Sequence, residues 1–482
     1  MSMENELNAK EEAMKSINKE MDLEEIADIL GTTIKQDREN KVIALLIMVG
    51  TYLGDEQSNI MFRSESSTGK TYIALELAQY FPQEDVKRIG YASPTAFFHE
   101  FGPYDKDRHA RMVDMEKKIF IFKDQPSMSL MARLRSLLSH DEKELQVKFT
   151  DKSQKSGFRA KNVIIIGFPT VIMCTATKKI NLQESTRFFQ LSPDIYVEKI
   201  EEAIHLTARR NGQSRKFEAG IRENVDRLRL KNRILDIKEA SIKDVIISNS
   251  EEIAESFIRE RKLNPRHMRD FQRLLRLIKY WALLNFHNRK REGDMIYSNQ
   301  IDVEVAYILY SKICEANEMG ISPEIYEIYH RVIEKNVNDG FNKRDIFTFY
   351  LKEYQRPLST KRLNEEIIPT LEAAGLIYWD ESAGSKPKIY RLSKNLEERE
   401  QGEKIDIHQA KLGKPLSIED KEEVNKKVIL KTLFIPQSSD QIQKLLNDKI
   451  PPRELSRLLD VLSVEGKITM NNYKYKLNEV DK

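Results

Sequence analysis

The apolar residues of the chain follow two patterns. Short and mainly apolar runs at 59–62, 119–122 and 169–177 predict strands, and residues 86–89 predict another. Runs without polar alternation are typical of strands that are covered on both faces in a parallel sheet. The segments between and after these runs carry apolar residues at helical spacing. This order of strands and helices predicts an α/β core.

Helical patterns lie on both sides of this core. Residues 1–37 predict a charged N-terminal helical arm, either a docking helix or a partly disordered segment, with an apolar stripe at Leu23, Ile26 and Ile29. Residues 41–53 predict an apolar helix that covers one face of the sheet. The strongest amphipathic pattern predicts a helix over 266–284, with an apolar face made of Met268, Phe271, Leu274, Leu275, Ile278 and Ala282.

A β-hairpin is predicted inside the core. Residues 144–149 alternate between apolar and polar, and 158–166 return after a polar tip at 150–157. A basic turn of this kind is either a solvated loop or a contact for DNA phosphates, and the sequence leaves both open. The basic residues at the tip are Lys152, Lys155 and Arg159.

The last third of the chain predicts two similar units of helices followed by a hairpin. In the first, Ser359 caps a helix whose start is expected to expose Lys361 and Arg362, and a hairpin follows at 376–392. The pattern recurs at 420–480. This is the winged-helix pattern, which commonly contacts DNA but also mediates protein contacts.

Composition limits the possible classes of protein. The 482 residues are enough for about three domains. The net charge is only +3 although 32% of residues are charged, so a nucleic-acid surface would have to be local. No apolar run is long enough to span a bilayer, and two cysteines, Cys174 and Cys314, provide neither a disulfide framework nor a cysteine zinc site. We therefore expect a cytoplasmic protein that does not contact membranes.

Residues 64–71, Ser-Glu-Ser-Ser-Thr-Gly-Lys-Thr, lie between a predicted strand and a predicted helix. This context is that of a phosphate-binding P-loop. Backbone N–H groups would surround the phosphate oxygens, Lys70 would neutralise their charge, and the Thr71 hydroxyl would bind Mg²⁺. Ser64 stands where the pattern usually has Gly, and Ser tolerates a positive φ less well. The expected nucleotide-binding residues are Ser64, Ser66, Ser67, Thr68, Gly69, Lys70 and Thr71.

Asp124 follows the apolar strand at 119–122. An Asp at this point is either a turn residue or, with a P-loop upstream, the second Mg²⁺ contact of an ATPase, and the P-loop favours the second interpretation. The next residue should be Glu in an enzyme that hydrolyses ATP, because a carboxylate activates the attacking water. It is Gln125. Three explanations stay open: an engineered trap for ATP, a base supplied by Asp141 or Glu142, or slow hydrolysis.

In this order, the P-loop, Asp124, the hairpin and the helix at 266–284 resemble an AAA+ ATPase. A hairpin placed before the strand at 169–177 resembles the clade of the minichromosome-maintenance (MCM) helicases. Lys123-Asp-Gln-Pro, with Leu137-Leu-Ser-His-Asp141 downstream, resembles MCM-like replicative helicases of archaeal and bacterial mobile elements. The resemblance covers about residues 38–290. Together with the repeated C-terminal pattern it implies a helical arm (1–37), an AAA+ α/β core (38–200), a helical lid with connecting helices (201–320), a winged helix (321–395), a charged linker (396–417) and a second winged helix (418–482).

The resemblance also implies roles for single residues. Thr177 corresponds to sensor 1, where the family usually has Asn, and Thr175 is the second choice. Arg187, in Ser-Thr-Arg-Phe-Phe, resembles the arginine finger that reaches the γ-phosphate of a neighbouring subunit. Arg266 resembles sensor 2, with Arg269 as second choice. The hairpin tip matches the hairpin that grips DNA in the central channel.

The implied function is that of an ATP-driven, ring-forming DNA helicase or translocase in the replication of a mobile element. Its cofactors would be ATP and Mg²⁺. An arginine finger requires a second subunit, so we expect a homo-oligomer, in particular a hexamer, that binds single- and double-stranded DNA. Two other classes stay open: a DNA-binding initiator or regulator that uses ATP as an assembly switch, and an AAA+ remodeller of proteins.

Overall fold

The computed structural model describes residues 18–477 except 55, 91–101, 125, 140–143, 152–158, 176–186, 260, 262, 264, 320, 338–339, 381–386, 394–451, 465–467 and 472–473. The chain divides into two compact units, Met1–Lys404 and Ile405–Lys482.

The strands are numbered here in chain order. They are β1 Asn59–Arg63, β2 Val86–Ile89, β3 Tyr104–Asp105, β4 Ala110–Asp114, β5 Ile119–Phe122, β6 Glu144–Asp151, β7 Arg159–Ile166, β8 Thr170–Thr175, β9 Phe188–Leu191, β10 Asp244–Ile246, β11 Arg291–Glu292, β12 Met295–Tyr297, β13 Gly340–Phe341, β14 Ile377–Trp379, β15 Tyr390–Leu392, β16 Ile468–Asn471 and β17 Lys474–Leu477.

The α-helices are α1 Leu23–Gly31, α2 Arg38–Val49, α3 Lys70–Leu77, α4 Met128–Ser139, α5 Val197–Gly212, α6 Ser214–Arg222, α7 Val225–Ala240, α8 Ser250–Arg259, α9 His267–Leu284, α10 Gln300–Met319, α11 Pro323–Ile328, α12 Lys343–Tyr354, α13 Thr360–Arg362, α14 Ile368–Ala373 and α15 Pro452–Val464. Short 3₁₀ turns at Gly50–Tyr52, Ala78–Tyr80, Phe286–Asn288 and Glu334–Asn336, and π turns at Tyr329–Ile333 and Leu363–Ile367, extend or join them.

A parallel five-stranded sheet forms the centre of the first unit. Its strand order is β2-β5-β8-β1-β9, and all of these neighbours pair in parallel. Parallel strands require crossover connections. Helix α3 lies in the connection from β1 to β2, and α4 lies in the connection from β5 to β8. The carboxyl ends of all five strands therefore lie at the same edge of the sheet. The predicted α/β core is confirmed.

Alternate residues of each central strand enter two different apolar cores. Ile60 and Phe62 of β1 belong to the core that contains α2 and α3, whereas Met61 belongs to the core that contains α4. The same alternation holds in β5, where Ile121 enters the first core and Phe122 the second. Because both faces are buried, both sets of positions must be apolar, which explains the uninterrupted apolar runs.

The predicted hairpin is confirmed. Strands β6 and β7 pair antiparallel from Glu144 opposite Ile166 to Asp151 opposite Arg159. They join a second sheet of order β3-β4-β7-β6. Val163 and Ile165 of this sheet pack in the same core as α4 and as the face of the central sheet that α4 covers. The hairpin therefore belongs to a second layer that packs on the α/β core. In the chain it directly precedes β8.

The other face of the central sheet is covered by helices from distant parts of the chain. Helix α9, predicted over 266–284, contacts both α2 and α10. Leu274, Ile278 and Ala282 are buried as predicted, but Met268 is 71% exposed, although His267 and Asp270 in the same turn are buried. Helix α1 buries its apolar stripe in the same core, which favours a docked helix over a disordered arm for the described part of 1–37.

A smaller apolar core follows in residues 321–392. Helices α11 and α12, the continuous segment from α13 to α14 and the antiparallel sheet β13-β15-β14 surround it. The order in which helices are followed by a hairpin agrees with the pattern that the sequence predicts. The assignment of this region as a winged helix stays a prediction. Its buried residues include Ile325, Ile328, Ile346, Tyr350, Leu363, Ile367, Leu371 and Ile377.

In the second unit, α15 precedes the antiparallel pair β16 and β17. Leu455, Leu458, Leu459 and Leu462 are the buried side of α15. No helix in the described ranges is both long enough and apolar enough to cross a membrane.

Candidate nucleotide-binding site

The loop 64–69 connects the carboxyl end of β1 to the first turn of α3. Gly69 caps α3 with φ 96°, and Ser67 has φ 67°. No atom lies within 4 Å of a Cβ built on Gly69, so its backbone angle rather than lack of space requires glycine. Ser64 is not left-handed, so serine at this position carries no backbone strain. The free N–H groups at the start of α3 face a bound anion in such loops.

Lys70 is buried within this loop. Its Nζ donates hydrogen bonds to the carbonyl of Ser64 at 2.9 Å and to the carbonyl of Glu65. Burial lowers the pKa of Lys70, and the nearby charges of Glu324 and Glu65 oppose this shift. The ammonium group is therefore a partly desolvated cation held at the loop, and an anion bound there would stabilise it.

Thr71 links the P-loop to the end of β5. Its Oγ1 donates a hydrogen bond of 3.4 Å to the carbonyl of Lys123, and the exposed Asp124 is the next residue. The strand between β1 and β5 is β8, whose Cys174 lies near Thr71, and burial raises the pKa of the Cys174 thiol to about 11. One hydroxyl and one carboxylate at this edge are oxygen ligands of the kind that would hold Mg²⁺ together with phosphate oxygens and water.

The residue predicted as second choice for sensor 1 lies at the same edge. Thr175 ends β8 and is in register with Arg63, the residue that precedes the P-loop. It is buried. The first choice, Thr177, and the residue that follows Asp124, Gln125, lie outside the described residues.

Arg187 and Arg266 lie towards the amino ends of the parallel strands, at the end of the sheet opposite the P-loop. Arg187 directly precedes β9, whose Phe188 is in register with Asn59, the first residue of β1. The length of β1 alone separates this end from the P-loop by about 13 Å. Arg187 Nη1 donates to the carbonyl of Arg135 at 3.1 Å. Arg266 Nε contacts Asp270 at 3.3 Å.

Contacts of helix α9 show that Arg187 and Arg266 lie in the same region of the protein. Arg273 of this helix donates from Nη1 to Asp270 at 2.8 Å and from Nη2 to the carbonyl of Phe188 at 2.7 Å. Arg266 and Arg187 therefore lie near the same end of β9. The structure brings the two together but not at the P-loop of their own chain.

The predicted DNA contacts of the hairpin are only partly described. Lys152 and Lys155 lie outside the described residues. Arg159 is the first residue of β7, in register with Asp151. In the C-terminal part, Ser359 caps α13 as predicted, because its hydroxyl accepts from the N–H of Arg362 at 3.4 Å. Lys361 is exposed.

The expectation that Arg362 is exposed needs correction. Its side chain is 5% exposed and contacts the carboxylates of Glu65 at 2.7 Å, Glu324 at 3.0 Å and Glu366 at 3.3 Å. Burial disfavours the charge of Arg362, but these carboxylates outweigh burial and raise its pKa. The guanidinium group is occupied inside the protein, so we remove Arg362 from the proposed DNA contacts.

A further residue, Lys199, contacts the P-loop, and no sequence pattern predicts this contact. Lys199 of α5 donates to the carbonyl of Thr68 at 3.4 Å and forms an ion pair with Asp37. Burial raises the pKa of Asp37 to about 6, although Lys199 opposes the shift. Asp37 and Asp194 also accept each other's backbone N–H, at 2.8 and 2.5 Å. These residues are far apart in the chain, and no local pattern connects them.

Comparison with known proteins gives little further information. No family model and no curated protein match the chain. A solved structure described as "SCCmec type IV Cch - active helicase" is 11% identical, with 77% of this chain and 71% of that chain covered and a TM-score of 0.31. Another, "The A form apo structure of NrS-1 C terminal region-CTR", is 13% identical, with 78% and 76% covered and a TM-score of 0.25. At these TM-scores neither likeness carries an argument about function.

Proposed function

We propose that this protein is an AAA+ ATPase that binds ATP and Mg²⁺ and acts as a ring-forming DNA helicase or translocase in the replication of a mobile element. One observation carries the ATP site: the hydroxyl of Thr71 reaches the carbonyl of Lys123, next to Asp124. This contact joins the end of the P-loop to the acidic residue that a Mg²⁺-dependent phosphate site requires.

Each residue at this edge has a role that its position supports. Backbone N–H groups of residues 66–70 would bind phosphate oxygens, and Lys70 would neutralise their charge. Thr71 and Asp124 would hold Mg²⁺, which withdraws charge from the phosphates when bound. Thr175, or Thr177 beyond it, would orient the terminal phosphate or the attacking water.

The position of Arg187 supports action between subunits. It lies at the amino end of the sheet, whereas the P-loop lies at the carboxyl end. An arginine there would reach the ATP of a neighbouring subunit in a ring more readily than its own. Arg266 lies near the same end of β9 and would act on the same neighbouring site. This arrangement underlies our proposal of a homo-oligomer, with a hexamer as the expected form.

DNA contacts are proposed for the hairpin and for the first C-terminal helical unit. The hairpin β6–β7 would carry Lys152, Lys155 and Arg159 into the channel of the ring. Lys361 is exposed at the start of a helix and would contact phosphates from the proposed winged helix 321–395. The lid (201–320), the linker (396–417) and the second winged helix (418–482) belong to the same proposal.

A second function has one specific observation in its favour. Gln125 cannot accept the proton of an attacking water, so the protein would bind ATP more readily than cut it. This favours an initiator or regulator in which ATP drives assembly on DNA without strand separation.

The deciding experiment compares the protein that carries Gln125 with its Gln125→Glu variant. ATP turnover is measured with and without single-stranded DNA, and strand displacement is measured on a forked duplex. We expect DNA-stimulated turnover and unwinding by the Gln125→Glu protein. ATP-dependent footprinting of one duplex site without unwinding would instead support the initiator. Absence of ATP binding by both proteins would contradict the proposed site itself.

A further inference from the structure

The second residue of the P-loop, Glu65, is held by two arginines from a distant part of the chain. Arg362 Nη1 lies 2.7 Å from one of its carboxylate oxygens, and Arg356 Nη1 lies 3.4 Å from the other. Both arginines follow α12 in residues 321–392. The P-loop is thus connected to this smaller helical core through one carboxylate shared by two guanidinium groups.

Arg362 is fixed in this cluster. Besides Glu65 it pairs with Glu324, whose side chain is 4% exposed, and with Glu366. Moving Arg362 away would leave the charge of Glu324 buried without its partner, which is costly. Arg362 therefore anchors Glu65 and is not available to a ligand.

Arg356 is not committed in this way. Its side chain is 32% exposed, and Glu65 is its ion-pair partner among the described residues. Its other polar contact is with a neutral group, because Nη2 donates to the hydroxyl of Tyr350 at 2.9 Å. The Nε of Arg356 is buried and has no hydrogen-bond partner in the part of the chain that the structure describes. Arg356 is thus held beside the P-loop by one shared carboxylate and one neutral hydroxyl, and its guanidinium group is less committed than that of Arg362.

The same cluster includes the lysine of the P-loop. Lys70 Nζ donates to the backbone carbonyl of Glu65, the residue whose side chain holds Arg356. A phosphate group that contacts Lys70 would carry more negative charge and more acceptor oxygens than the Glu65 carboxylate. Because guanidinium groups bind phosphate with paired hydrogen bonds, it would compete with Glu65 for Arg356.

We propose that Arg356 is a binding residue for the terminal phosphate of a nucleoside triphosphate, supplied by the same chain from outside the α/β core. This inference rests on the proposed nucleotide site. Glu65 holds Arg356 at the P-loop, and the terminal phosphate takes over part of this contact. The residue then distinguishes triphosphate from diphosphate and makes residues 321–392 respond to the nucleotide.

The test compares affinities for Mg²⁺ with a non-hydrolysable ATP analogue and for Mg²⁺ with ADP, by titration calorimetry on the full chain. Arg356→Ala is expected to weaken binding of the triphosphate by about tenfold or more and binding of ADP by less than about twofold. Arg344→Ala is the matched control, because Arg344 is an exposed arginine on α12. It should change neither affinity.

The possible failures are distinguishable. An equal loss of affinity for both nucleotides in Arg356→Ala would overturn the inference, because a structural role has no preference for the terminal phosphate. Unchanged affinity for both would overturn it as well. If the unsubstituted chain binds neither nucleotide, the proposed site itself is wrong. Thermal unfolding of each variant identifies a loss of folding, and Arg356→Lys, which keeps the charge, should then restore part of the triphosphate preference.

Discussion

Replacement of Arg362 by Met tests the largest departure of the structure from the sequence-based prediction. The sequence places Arg362 beside Lys361 at the exposed start of a helix, as a DNA contact. The structure buries it against Glu65, Glu324 and Glu366 at 2.7, 3.0 and 3.3 Å. We therefore expect different effects from the two neighbouring residues. Substitution of Arg362 should lower the stability of the fold, whereas substitution of Lys361 should weaken DNA binding.

The size of the effect follows from the burial of the ion pair. Removing one partner of a buried pair costs about 3–5 kcal/mol, because the remaining charge is left without compensation. Glu324 is the residue that would be left, and burial already raises its pKa. Without Arg362 that pKa rises further. A raised pKa in the folded state adds stability at low pH that is lost as the pH rises through it. The deficit of Arg362→Met should therefore be largest near neutral pH and smaller at mildly acidic pH.

Urea unfolding of the full chain, followed by fluorescence, measures this difference. Trp379 packs against the same small core and reports its unfolding. Lys361→Met is the matched control on the same turn, and an exposed substitution should change stability by less than about 0.5 kcal/mol. Conversely, Lys361→Met should weaken DNA binding and reduce its salt dependence, with a slope change of about one. Equal unfolding midpoints for the two variants would refute the burial of Arg362 and return it to the proposed DNA surface.

Three further predictions concern the site and its surroundings. Lys70→Ala should weaken ATP binding by about 10- to 100-fold without loss of folding, measured by calorimetry and thermal unfolding, since a charge-assisted contact is removed; unchanged affinity would contradict the role of the P-loop. In a form that turns over ATP, Arg187→Ala should lower the rate by about 10³–10⁵ while ATP affinity and oligomer size stay the same; full activity in the oligomer would exclude an arginine finger. Because burial raises the pKa of Asp37 from 3.8 to about 6, its stabilising contribution is present below about pH 4 and is lost as the pH rises through 6. Asp37→Asn should remove this decline, worth about 3 kcal/mol, from the pH dependence of unfolding; an unchanged pH profile would show that Asp37 is not buried as described.

Features with a local cause were predictable from the sequence. The apolar runs predicted strands β1, β5 and β8 because a strand covered on both faces needs apolar residues on both sides. The helical period predicted α9, and the alternation at 144–149 predicted the hairpin, as the structure confirms. The position of Asp124 after an apolar strand was also predicted. The contact of Thr71 with Lys123, the residue before Asp124, follows once the strands are known to be parallel, because their carboxyl ends lie at the same edge of the sheet.

Features that depend on distant residues were not predictable. The order of the sheet places β8 between β1 and β5, which no local pattern specifies. Met268 follows the helical period of its neighbours but is exposed, because only packing decides which side of the first turn is covered. Arg362 has the sequence context of a surface residue and is buried, since Glu65 and Glu324 meet it from other parts of the chain.

The sequence by itself determined the kinds of element in the central sheet and the position of the loop 64–69 between β1 and α3, because these depend on spacing and residue type within a few turns of chain. The tertiary structure decided which charges meet. It placed Arg187 and Arg266 at the end of the sheet opposite the P-loop, and Arg356 and Arg362 at the P-loop itself. Ion pairs between distant residues leave no periodicity in the sequence, so only the folded chain shows which arginines lie beside the loop 64–69 and which lie at the other end of the sheet.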